Sequence, residues 1–195
     1  MLDQCSFCFF NRLIFITPLL GQFIRRTQTF TTIHRARAEF FGWGGVVALW
    51  AQEKMTNNNR EALRLEVSCQ PLDGQLSALA QVLQYFLSSL STLESLEIAV
   101  SREDWQGGIE ATQWQELLRP FNYVKKMTLE REVSIRLVAP ALQELAGERA
   151  TELLPALQNL YLKTYGRRPL GPVREAIAQF ITTRRCYGHL VTVHY

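Results

Sequence analysis

The chain has 195 residues, a net charge of +3, 47% hydrophobic and 20% charged residues. That composition excludes intrinsic disorder and predicts one domain or one elongated array. The charge is too mild to point to nucleic acid, whose partners carry a strongly basic patch.

The chain opens on CSFCFFNRLIFITPLLG, which is apolar enough to test as a targeting segment. Asp3 precedes it without any Lys or Arg, Asn11-Arg12 interrupts it and Pro18 breaks it. A secretory signal needs a basic start and an unbroken core, and a membrane span needs about 20 apolar residues. The expectation is a chain that stays inside the cell, in cytoplasm or nucleus, and does not span a membrane. Cys5, Cys8, Cys69 and Cys186 fit no disulfide framework and read as reduced. Cys5-x-x-Cys8 has no second ligand pair for zinc and no strand-to-helix context for redox work, so no metal or other cofactor is expected.

The first strand signal is Leu2-x-x-Cys5-x-Phe7. Thr17-Pro18 then reads as a helix start, with Leu20, Phe23, Ile24 and Thr27 at helical spacing. A second strand centres on Ala36 in Ile33-x-x-Ala36-x-Ala38. No helix follows it. Gly42-Trp43-Gly44-Gly45, the alternating VVALWAQ and three asparagines at 57–59 predict an extra strand near 45–51, a turn, and a hairpin onto a strand at 61–69. The glycines lack the Gly-Lys-Ser/Thr ending of a phosphate loop.

Leu76, Leu79, Ala80, Leu83, Phe86, Leu87 and Leu90 predict a helix over about 75–90. LESLEI at 93 returns to the strand period. Trp114, Leu117, Leu118 and Phe121 form a short helical stripe stopped by Pro120. VKKMTL at 124 is the next strand. Ile135, Val138, Leu142, Leu145 and Ala146 predict a helix kinked or broken at Pro140 and ended by Gly147. LQNLYL at 157 is a strand, and Val173, Ala176, Ile177, Phe180 and Ile181 form the last helical stripe, with Arg184-Arg185 near its C-terminus. Leu190-x-x-Val193-x-Tyr195 closes the chain.

These strands share the spelling L-x-x-L-x-L, loosely read. Their fourth positions are Cys5, Ala36, Leu65, Leu96, Met127, Leu160 and Val193, spaced by 31, 29, 31, 31, 33 and 33 residues. A period of that size signals a stacked array. The predicted fold is an α/β, irregular leucine-rich-repeat-like solenoid arc of about seven strand units. Parallel strands line its concave face and helices its convex face, in a single array over 1–195. The period exceeds the usual 20–29 residues, and Gln70, Ser101, Glu132 and Tyr165 stand where such repeats carry Asn or Cys, so irregular turns are expected. Strand signals reach both ends of the chain, which predicts poor solubility alone, with a partner or further chain over the first strand. A sharp, monomeric, cooperative melt would count against that.

The segments TPLLGQFIRRTQTF, LRLEVSCQPLDGQLSALAQV, WQELLRPFNYVKKMTL and RLVAPALQELAGERATELLPALQNLYL, with GPVREAIAQFITTRR, resemble the C-terminal repeat region of fungal F-box-like proteins with leucine-rich repeats. The resemblance runs over nearly the whole chain. It implies repeats that hold a protein target while an N-terminal F-box engages a ubiquitin-ligase adaptor. No LP-x-E-L-type start precedes the first repeat, so target binding is carried over and adaptor binding is not. The alternative is a truncated, non-functional remnant of such a protein.

Outward strand positions give the candidate partner-binding residues: Arg35, Arg37, Glu39, Arg64, Glu66, Glu97, Lys126, Tyr161 and Lys163. Gln4, Ser6, Cys8, Ser68, Ser95, Ala99, Thr128, Glu130, Asn159, Thr192 and His194 complete the face. Tyr and Arg favour interface anchoring. The plain competing reading is a solvated face with cross-strand ion pairs such as Arg64 with Glu97, each contributing under about 1 kcal/mol. No enzyme is expected: His34, His189 and His194 lie apart, and no nucleophile elbow, H-E-x-x-H or paired-carboxylate motif is present. Arg25-Arg26, Arg167-Arg168 and Arg184-Arg185 would line one edge for nucleic acid, but without interleaved aromatic residues.

Overall fold

The structure is a computed structural model that describes residues 5–10, 33–52, 59–68, 72–101, 110–144, 151–164 and 171–195. Strands β1 (Cys5–Phe10), β2 (Ile33–Phe40), β3 (Gly44–Gln52) and β4 (Asn59–Ser68) come first. There follow α1 (Leu72–Leu83), β5 (Ser95–Val100), α2 (Ala111–Leu118), β6 (Lys126–Glu130), α3 (Arg131–Gln143), β7 (Asn159–Lys163), α4 (Pro172–Cys186) and β8 (Thr192–His194). Two short 3-10 turns, Gln84–Phe86 and Ser89–Thr92, prolong α1 toward β5. The expected helix near 17–27, the asparagine turn's first residues and Gly147 lie outside the described residues.

The fold is α/β, with a mixed, mostly parallel sheet and four α-helices among the described residues. The eight strands run in the order β1-β4-β3-β2-β5-β6-β7-β8. Only β3 is reversed, pairing antiparallel with β2 and with β4. The extra strand and its hairpin are where the alternating VVALWAQ predicts them.

Strand order departs from the expectation of repeats laid side by side in chain order. The β2–β3–β4 meander folds back, so the third repeat strand, β4, neighbours β1. The second, β2, neighbours β5. The cause is local: an antiparallel hairpin needs only a short turn, whereas a parallel neighbour needs a crossover connection. Gly44 makes the hairpin close, because a Cβ there would collide with the Val67 carbonyl on β4. Gly45 lies under α1, where a Cβ would come within 2.9 Å of Leu79 Cδ1.

One hydrophobic core links the strands to the helices. Alternate strand residues supply it: Ala36, Ala38 and Phe40; Val47 and Leu49; Leu63, Leu65 and Val67; Leu96, Ile98 and Val100; Met127 and Leu129; Leu160 and Leu162. The helical stripes close over them through Leu76, Leu79, Trp114, Leu117, Ile135, Val138, Ala176 and Phe180. Burial of such side chains contributes roughly 1.5–3 kcal/mol each. Phe40 meets Trp114 edge to face at 5.5 Å. The helices pack in chain order, α1 on α2, α2 on α3 and α3 on α4, as one layer.

Register aligns part of the evenly spaced set. Leu96, Met127, Leu160 and Val193 are aligned across β5 to β8, and Ala36 joins the same row from β2. Leu65 does not. It aligns through Val47 with Ala38, one pleat further on.

Of the turn positions, Gln70 and Tyr165 lie outside the described residues, and the corner before Glu132 is abrupt. β6 runs into α3 with no intervening residue, and Arg131 takes a φ of 71° to make the corner. Ser134, fully buried, secures it by donating to the Glu130 carbonyl and accepting from the Val100 amide at 2.8 Å. Pro140 does not break α3, which continues to Gln143.

Candidate functional site

The sheet face opposite the helices is built by the other half of each strand alternation. Ala48, Val46 and Ala99 on it are buried yet stand apart from the main core. Register places Ala48 between Arg64 and Arg37, and Val46 between Glu66 and Glu39. Small residues therefore lie between long ones, whose aliphatic stems cover apolar surface. No described helix packs on this face.

Its middle is an ion network across β2, β5 and β6. Arg35 donates to Glu97 at 2.7 Å. Arg37 donates to Glu97 as well, to Glu39 at 2.5 Å, and reaches Glu130 at 3.0 Å. Lys163 holds the other side of Glu130 at 3.0 Å. One guanidinium thus gathers three carboxylates, which suits its fork of donors. Burial alone would pull the Arg37 guanidinium down, but its hydrogen bond to Glu39 and the charges of Glu97, Glu39 and Glu130 hold it above its ordinary value. Burial likewise pushes the Glu130 carboxyl up, and its hydrogen bond from Lys163 with the nearby Arg37 charge brings it below the usual value.

The two flanks differ from the middle. On β3 and β4, Arg35 also lies over the Trp50 ring at 5.2 Å, and Arg64 sits 4.0 Å from Glu61 and 3.9 Å from Glu66. On β7 and β8, the Tyr161 and His194 rings stack at 4.2 Å and 10°. His194 Nε2 donates to Asn159 Oδ1 at 3.1 Å, and Lys126 Nζ sits 4.6 Å from the Tyr161 centroid.

All nine candidate partner-binding residues occupy this one face, in three rows that cross the strands. Arg35 and Lys126 lie in one, Arg64, Arg37, Glu97 and Tyr161 in the next, Glu66, Glu39 and Lys163 in the third. Two expectations change. Arg64 does not meet Glu97, because β3 and β2 lie between their strands; Arg35 and Arg37 take Glu97 instead. Glu97 is 6% exposed with both oxygens engaged, so it holds the network together and offers little surface to a partner. Gln4 lies outside the described residues, and for Ser6 and Cys8 the register alone is set, opposite Arg64 and Glu66. The stacking of Tyr161 on His194 was not expected, although both stand at the same place in their repeats.

The basic edge also changes. Arg25-Arg26 and Arg167-Arg168 lie outside the described residues, and Arg184 is fully buried while Arg185 is exposed. Arg184 donates to the carbonyls of Leu153 at 3.1 Å and Pro155 at 3.0 Å, and its burial pulls its pKa down. It ties α4 to the segment before β7 and is no part of a nucleic-acid strip. Among the described residues, no three His, Cys, Asp or Glu side chains gather as metal ligands, and no helix is long and apolar enough to cross a membrane.

Comparison with known proteins returns no match: no family model, no curated protein and no solved structure resembles this chain closely enough to assign it.

Proposed function

We propose that the chain is a non-catalytic protein-binding module, a leucine-rich-repeat-like array that holds a partner against its open sheet face. The observation that carries this reading is the gathering of nine outward strand residues on one face that no described helix covers, with polar groups fixed in place by the Arg37 network. A surface whose side chains are already ordered gives up less conformational entropy on binding. The aligned row of Ala36, Leu96, Met127, Leu160 and Val193 supports the repeat reading from β2 and β5 onward. By the sequence resemblance, the closest role is the target-holding end of an F-box and leucine-rich-repeat ubiquitin-ligase receptor, acting inside the cell.

The test is a photo-crosslinking scan in cells. A benzoylphenylalanine at Arg35 or Tyr161 reports the open face, and one at Glu132 or Gln179 the exposed helix layer. Discrete adducts from the open-face positions alone are the expected result. Adducts from the helix layer alone, or none from either face, would sink the reading.

A further inference from the structure

Among the described residues of the open face, one basic group makes no contact with a carboxylate. Among the described residues five carboxylates lie there, and each has a basic partner within 4.0 Å: Glu39, Glu97 and Glu130 around Arg37, Glu61 and Glu66 at Arg64. Arg35, Arg37, Arg64 and Lys163 are consumed in those pairs. Lys126 is not. It is exposed, and among the described residues it meets no carboxylate, only the face of the Tyr161 ring. Its neighbour Lys125 is already neutralised by Glu94 at 2.6 Å.

The surroundings of Lys126 are ordered as well as uncompensated. Tyr161 is held between Lys126 and His194, and His194 is held by Asn159. A rigid pair of aromatic rings gives contact area at low entropic cost, and a cation beside it adds direction. Each described carboxylate of the face already has a basic partner.

We infer that the β6–β8 end of the open face is where the partner docks, and that the docking segment is acidic. A carboxylate of the partner takes the Lys126 ammonium, and a flat or apolar group beside it rests on the Tyr161–His194 pair. This rests on the reading of the open face as the docking surface and adds the chemistry of its occupant. Charge complementarity at Lys126 commits it to an acidic peptide segment: a basic segment would meet Lys126 as a like charge, and each described carboxylate of the face already has a basic partner.

Three blocked pentapeptides, GEWEG, GQWQG and GKWKG, serve as probes by NMR titration of the full chain. GEWEG should move the Tyr161 and His194 ring signals, weaken as salt is raised, and lose roughly fivefold or more in affinity in Lys126→Glu. Arg64→Ala should bind it as the parent does. Lys126 makes no ion pair among the described residues, so an unchanged amide spectrum separates lost binding from lost folding. If GKWKG or GQWQG moves open-face signals and GEWEG does not, the face still docks peptides but the acidic assignment falls. If GEWEG moves nothing on this face, or binds Lys126→Glu equally well, the assignment falls too, and the crosslinking scan judges the docking reading separately. Tighter, Lys126-dependent binding of a single-stranded DNA probe would overturn it in favour of nucleic acid.

Discussion

The two halves of the sheet solve the same problem differently. From β5 to β8 each strand follows a helix and lies parallel to the one before, with Leu96, Met127, Leu160 and Val193 in one row. From β1 to β4 a hairpin interrupts, the order folds back, and Leu65 falls out of the row. In the regular half each strand from β6 on pairs with the one before it in the sequence, so every pairing joins neighbouring strand–helix segments. The folded-back half depends on non-local pairing, since β1 must find β4 and β2 must find β5. The ion network stands at the seam, with Arg35 and Arg37 on β2 joined to Glu97 on β5.

The largest expected effect lies in the shared core. Leu129→Ala and Leu49→Ala each empty a fully buried site, one in each half, and should cost about 2–5 kcal/mol by denaturant unfolding. If the halves form one cooperative unit, both variants shift a single transition. Two transitions, with only one moved by each variant, would show that the seam does not couple them.

Next comes the seam. Arg37→Met leaves Glu39, Glu97 and Glu130 facing one another without their central cation. A loss of about 1–3 kcal/mol is expected at neutral pH, between the values for exposed and buried pairs. The sign of the pH dependence is set by Glu130. Its folded pKa is below the ordinary glutamate value of 4.5, so the stability it contributes is present above about pH 4.5 and is lost as pH falls through the folded value. Glu130→Gln should therefore be less stable than the parent at pH 7, and the gap should narrow as pH is lowered below about 4.5. A gap that stays constant with acid would mean that the folded chain does not favour the carboxylate, and one that widens would mean that it disfavours it.

Most of this was legible because it depends on local pattern. Alternation in VVALWAQ gives β3, and the stripe from Trp114 to Phe121 gives α2 with its stop before Pro120. What periodicity hides is strand order. The spacing of Ala36, Leu65 and Leu96 is as even as that of the later copies, yet Ala36 pairs with Leu96 and Leu65 pairs elsewhere. Equal spacing shows that units are alike; it carries no information on which lie side by side. Arg184 had a signal that charge obscured. It continues the buried stripe of Ala176 and Phe180 at intervals of four, a position that asks for burial whatever the residue. The open-face residues were readable as a set, because strand alternation assigns a face. Their pairings were not, because pairings follow from strand order.

The smallest expected effect tests that last point. Arg64 has two carboxylate neighbours, as Arg35 and Arg37 have theirs, and by residue type the three arginines look alike. Yet Arg64 stands near 4 Å from Glu61 and Glu66, whose side chains are 22% exposed, whereas Arg35 and Arg37 close on a Glu97 side chain only 8% exposed. Distance and solvent decide what an ion pair contributes, because water screens the looser pair and spares the tighter one. Arg64→Met should therefore change stability by less than about 0.5 kcal/mol, and a double-mutant cycle with Glu66→Gln should give a coupling near zero. The same cycle for Arg37 and Glu130 should give a coupling of about 1 kcal/mol. Equal couplings in the two cycles would place the two arginines in like environments and remove the distinction between a closed network at the seam and a solvated pair at the flank.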